Sequence, residues 1–167
     1  KMLELLLRLG ARPSQELLLD AIKRGKLRAA AVLLAKIGPI DSVPLLVAVV
    51  SSGQPALLRQ AFVQGCTLSL TGDLAERLWR LAFETSNASE LVSILLEHHL
   101  DPNLPLQMSV QRHDATVLML AIDSGHGDCL GALLKAGALV KVADQQGWTA
   151  LHVAAYKADS ASLQLLL

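Results

Sequence analysis

Five times along 167 residues, an apolar helical stretch ends in paired aliphatic or similarly bulky residues and then, after two or three further residues, a helix-stopping residue. The stretches are "LELLLRLGA" (3–11), "AAVLLAKIGP" (30–39), "LRQAFVQGC" (58–66), "VSILLEHHLD" (92–101) and "LGALLKAGA" (130–138). Their stop positions are Gly10, Gly38, Gly65, His99 and Gly137, separated by 28, 27, 34 and 38 residues. A glycine just past a helix suits the left-handed backbone that closes a C-terminus. His99 in that slot should be costly or compensated. Between these stops lies a second set of apolar segments at helical spacing, in 15–25, 43–53, 76–86, 115–125 and 148–158. The unit is therefore helix, short turn, longer helix, loop, repeated about five times, and no useful strand alternation appears.

Capping signals agree with this reading. Asp73 with Glu76, and Asn87 with Glu90, have capping-box spacing, and Thr149 is placed to cap the last of the first helices. The side chains available are mainly Leu, Ala and Val, because aromatics make up only 3% of the chain. Helices packed closely through small residues are the expected result.

The C-terminal third carries a closer likeness. "DQQGWTALHVAA" (144–155) and "TVLMLAIDSGHGDCLGALLKAGA" (116–138) resemble the ankyrin repeat. That family's unit runs D-x-x-G-x-T-P-L-H-x-A-A-x-x-G-H, then a helix, then L-L-x-x-G-A. Thr116 and Thr149 stand 33 residues apart, the family's period, and Ala150 takes the usual proline place. "LLEHHLDPN" (95–103) fills the place of a further unit ending, while residues 1–103 otherwise match weakly.

The resemblance implies an all-α solenoid of stacked antiparallel helix pairs. Its units would be a partial repeat at 1–13, repeats at 14–41, 42–67, 68–103 and 104–140, and an incomplete one at 141–167. It also implies a β-hairpin finger between units. Only 6 residues separate Gly10 from Glu16 and 5 separate Gly38 from Val43, so the first two fingers should be truncated to bare turns. Twelve residues from Gly137 to Thr149 allow a full finger, and 17 from His99 to Thr116 a longer loop. Apolar residues at both termini suggest a piece of a longer protein with further repeats or domains at each end, since solenoid ends need polar caps.

Gly125-x-Gly127-x-x-x-Gly131 follows six apolar residues and has Asp144 beyond it, which superficially fits a dinucleotide turn. Such a turn needs a preceding strand and a second strand after it, and "DQQGWTALHVAA" reads as repeat instead. The five histidines have no partners at metal-ligand spacing, so no metal and no cofactor is expected. Cys66 and Cys129 lie outside any paired motif, which fits inert thiols in a reducing, cytoplasmic setting. "NAS" at Asn87 reads as a helix cap before it reads as a glycosylation acceptor. The longest apolar region (30–51) is broken by Lys36, Pro39, Asp41 and Pro44, which excludes a membrane span. Lys and Arg equal Asp and Glu at 15 each, against a dedicated nucleic-acid binder. The charge is nevertheless uneven: residues 1–36 carry eight Lys/Arg against three acids, and 73–128 three against nine.

What remains is a protein-binding surface and no enzyme. By resemblance, partners meet the finger tips and the outer residues of the first helices. The candidates are Gln145, Gln146, Trp148, Tyr156 and Lys157, with Asp123 and Ser124 on the preceding helix and Gln111, Arg112 and His113 in the long loop. Thr116, Gly125, His126, Gly137, Thr149 and His152 take structural slots of the motif. An architectural role inside a large channel, kinase or cytoskeletal assembly is the alternative.

Overall fold

The computed structural model describes residues 13–66, 68–107 and 114–167. They form two compact units that divide after Ser69. Gly10 and the first expected junction lie outside the described residues.

The N-terminal unit holds α1 (Gln15–Lys23), α2 (Leu27–Ile37), α3 (Val43–Ser51) and α4 (Pro55–Val63). Ser14 opens α1, its hydroxyl accepting from Leu17 N–H at 3.2 Å. Proline in the first turn opens α3 and α4, where its missing N–H costs nothing. Each pair folds on itself, and the pairs stack first helix on first (α1 on α3) and second on second (α2 on α4). Leu18, Leu33, Leu34, Leu45, Leu46 and Leu58 are sealed between them. Five residues join α2 to α3 without any β-bridge, so this junction is the bare turn that its length implies. Ile40 plugs it, fully buried, and Gln15 Nε2 donates across it to Asp41 Oδ1 at 2.6 Å.

The C-terminal unit holds α5 (Gly72–Phe83), α6 (Ala88–Glu97), α7 (Val117–Asp123), α8 (Leu130–Lys135), α9 (Ala150–Tyr156) and α10 (Ser160–Leu166). A 3₁₀ turn, Gly127–Cys129, leads into α8. The stacking rule repeats: α5, α7 and α9 form one row, and α6, α8 and α10 the other. Ala75, Ala82, Ala121 and Ala154 are buried on the first-helix row, where side chains this small let neighbouring helices approach closely. A large core aromatic cluster lies here. Trp79 stacks on Phe83 (6.0 Å), Phe83 meets the His126 ring (6.0 Å), and Trp79 Nε1 donates to Asp101 O at 3.1 Å.

Two details depart from the sequence reading. Thr71, not Asp73, stands at the N-cap of α5, so the helix begins two residues earlier than the capping-box spacing suggests. Glu76 serves elsewhere: it accepts from Arg80 Nη2 at 2.8 Å and from Gln107 N–H at 3.2 Å, tying α5 to the long loop. Asn87 is the N-cap of α6 as expected.

The helix stops share a positive φ. Gly38, Gly65 and Gly137 have φ of 85°, 89° and 89°, and His99 has φ 63°. After α6, His99 N–H reaches Leu96 O and Leu100 N–H reaches Leu95 O, both at 3.0 Å, while the Leu95 and Leu100 side chains are buried. This pair of bonds with its apolar contact is the Schellman closure, and it compensates the non-glycine residue.

Candidate partner-binding face

The finger before α9 is built from backbone outward. Asp144 N–H donates to Trp148 O (2.8 Å), Gly147 N–H to Asp144 O (2.9 Å), and Ala143 pairs with Thr149 in a single antiparallel bridge. The buried Asp144 carboxylate accepts from the N–H groups of Gln146 and Trp148, both at 2.9 Å. Gly147 supplies the positive φ (80°) that so tight a turn requires.

Thr149 then opens α9. Its N–H donates to His152 Nδ1 at 3.2 Å, and its hydroxyl oxygen lies 2.8 Å from the same ring nitrogen. One unit earlier Thr116 does the same work: its hydroxyl accepts from Met119 N–H (3.3 Å) and its N–H meets Met119 Sδ (3.5 Å). His152 therefore occupies a helix-capping position that a methionine fills elsewhere. Nothing in that geometry calls for a reactive histidine.

Beside this cap the aromatics gather. Trp148 is half-buried, with its ring 6.2 Å from His152 and 5.7 Å from Tyr156 in an edge-to-face arrangement. Tyr156 is 76% exposed. Leu139 and Val142, on the arm leading into the finger, are also exposed, and the sequence reading did not single them out.

The other candidates are engaged to different degrees. Gln145 Nε2 donates to Asp114 Oδ2 at 2.9 Å, linking the finger to the foot of the preceding long loop. Lys157 and Asp123 pair with each other at 2.9 Å across successive units. Ser124 is exposed next to that pair, on an open groove of about 720 Å³ that Asp128 and Asp159 also line. Gln111, Arg112 and His113 lie outside the described residues. The long loop closes at its foot through a bridge between Leu106 and Ala115, with bonds of 2.8 and 3.0 Å.

One connecting residue was missed in the sequence. Asn103 Nδ2 donates to Gly137 O (3.0 Å), and its Oδ1 accepts from Leu139 N–H (2.8 Å), so it clasps the end of the next unit. The "DPN" tripeptide was the available signal, but its partners lie 34 and 36 residues away.

No group of three or more metal-ligating side chains occurs among the described residues. Gly125 and Gly127 sit between α7 and α8, and Gly131 inside α8, where a dinucleotide turn would need a strand before them. Gly127 is closely packed on protein: a Cβ there would lie 2.5 Å from Ser162 Oγ and 2.9 Å from Asp159 Oδ2.

A family model described as "Ankyrin repeats (3 copies)" matches residues 78–167, more than half of the chain. The chain belongs to the ankyrin repeat family. The match begins inside α5, so it takes in a unit where the sequence likeness was faint. Ankyrin repeats serve in general as protein–protein interaction modules and are typically non-catalytic. A search of curated proteins finds no match. No helix among the described residues is long and apolar enough to cross a membrane.

Proposed function

We propose that this chain is a non-catalytic scaffold that binds a protein partner through the finger before α9 and the adjoining first-helix surface. The observation that carries this reading is the Trp148–Tyr156 pair. Two large rings are braced against each other, Trp148 at the end of the finger and Tyr156 at the end of α9, and Tyr156 is three-quarters exposed. Aromatic residues held in this way lose little side-chain entropy on binding and often anchor interfaces. Gln146 and Ser124 flank them as polar rim. Two free thiols suit a reducing compartment, and we place the protein in the cytoplasm on that ground.

The test compares proteins captured by the wild-type chain and by a Trp148→Ala/Tyr156→Ala variant of unchanged circular dichroism. Loss of a captured partner supports the finger site. An identical set of partners counts against it. The bare α2–α3 turn favours a second reading for the N-terminal unit, an architectural one, because a missing finger removes binding surface. Under that reading the double variant keeps all its partners.

A further inference from the structure

We propose that the turn between α1 and α2 is a second docking edge, one that takes a carboxylate-rich acidic segment of a protein partner. It shares with the finger reading only the premise that the chain binds proteins, and different substitutions test it.

Lys23, Arg24, Lys26 and Arg28 fall within six residues, and all four are exposed. Asp20 pairs with Arg24 at 2.8 Å. Lys23, Lys26 and Arg28 have no ion-pair partner among the described residues. The other inter-helix turn of the same unit, Ser51-Ser52-Gly53-Gln54, carries no charge.

The helix that starts here adds to the field. α2 is 11 residues long, has Lys26 at its N-cap, no side-chain cap and no acidic residue in its first turn. The N–H groups of Leu27, Arg28 and Ala29 have no acceptor among the described residues. A helix N-terminus favours negative charge, so Lys26 and Arg28 are placed against the local preference. A bound anion would relieve both features at once, by accepting from the amides and neutralising the cations.

The surroundings select the kind of partner. Among the described residues of this unit, the large exposed apolar side chains are Leu17, Val43 and Val63, none of them in the turn. An in-plane membrane anchor needs apolar side chains to insert, so a lipid surface fits poorly. The turn has no aromatic to stack on bases, and the chain's net charge is zero, so a nucleic acid fits no better. An acidic peptide needs only cations and amide donors.

The test uses the full 167-residue chain and a fluorescein-labelled peptide containing six consecutive glutamates, with a six-glutamine peptide as control. The variants are Lys23→Glu/Lys26→Glu/Arg28→Glu and the matching triple Gln substitution. A further triple reversal, Lys36→Glu/Lys135→Glu/Lys141→Glu, changes net charge equally at other exposed positions. Saturable binding of the glutamate peptide that weakens with added salt is expected. It should drop about tenfold or more in both turn variants and remain in the other reversal. The proposal is overturned if binding is absent at low salt, or if all three variants lose it equally. It is also overturned if phosphatidylserine vesicles or a phosphoserine peptide bind through these residues while the glutamate peptide does not.

Discussion

At the scale of single residues, the helix stops carry the most testable energetics. His99 and Ala158 hold the left-handed backbone, with φ of 63° and 54°, at positions where most other units place glycine. Ala158 closes α9 by the same pair of bonds, to Ala155 O and, through Asp159, to Ala154 O. A side chain in that region costs about 1 kcal/mol. Ala158→Gly and His99→Gly should each stabilise the chain by about that amount, read as a higher urea midpoint at unchanged slope. His152→Ala should lower stability by about 1 kcal/mol through the lost cap bond, without removing any partner. Cys129 is a different case. Burial, with the Asp128 carboxylate beside it, pushes its thiol from 9.0 up to about 12. The unfolded chain then loses this proton first as pH rises. The associated stability is complete below about pH 9 and fades toward pH 12. At pH 8, Cys129 should resist a thiol reagent until the fold opens, while the half-exposed Cys66 reacts.

At the scale of elements, the inter-helix turn 124–129 shows why three similar glycines are unequal. Gly125 supplies a positive φ of 80°. Gly127 supplies space, because the Asp159–Ser162 cap of α10 presses against it. Ser162 Oγ donates to Asp159 Oδ2, and this bond holds the Asp159 carboxyl below its usual range. Gly131 lies in α8 with open space around its Cα and needs neither property. Gly127→Ala should therefore destabilise the α8–α10 contact, while Gly131→Ala should stabilise by about 0.5–1 kcal/mol. Thermal melts of the two variants against wild type check the opposite signs. A phosphate-cradling role would make both substitutions matter in the same direction. The long loop makes a complementary point. Its extra length was legible, yet its anchoring to Glu76 and Arg80 through Gln107 was not, because those partners come from a distant stretch of chain.

At the scale of the molecule, two tryptophans report on different places. Trp79 is fully buried and Trp148 half-buried on the finger. Acrylamide should quench part of the emission, and Trp148→Phe should remove that accessible part. A partner seated on the finger should protect it. Emission that is uniformly protected in the free chain, or unaffected by a bound partner, would contradict the finger as the contact surface. The uneven charge, noticed first as a sum over residues 1–36, acquires a location: in the described part it concentrates at the α1–α2 turn.

The repeat, the helix count per unit, the stop positions and the missing second finger follow from local signals. Periodicity, glycine placement and segment length act within a few residues, so one sequence displays them. The same holds for Trp148 and Tyr156 as neighbours, eight residues apart across a finger and one helix. Tertiary structure alone decided which polar residues are spent on the fold. Gln145 goes to Asp114, Lys157 to Asp123, Asn103 to the next unit's backbone, and Glu76 to a loop 31 residues on. In a stacked array, adjacent surfaces are brought together by the repeat spacing and not by neighbourhood in the chain. A side chain's partner is therefore set one unit away, where a reading of local sequence does not reach.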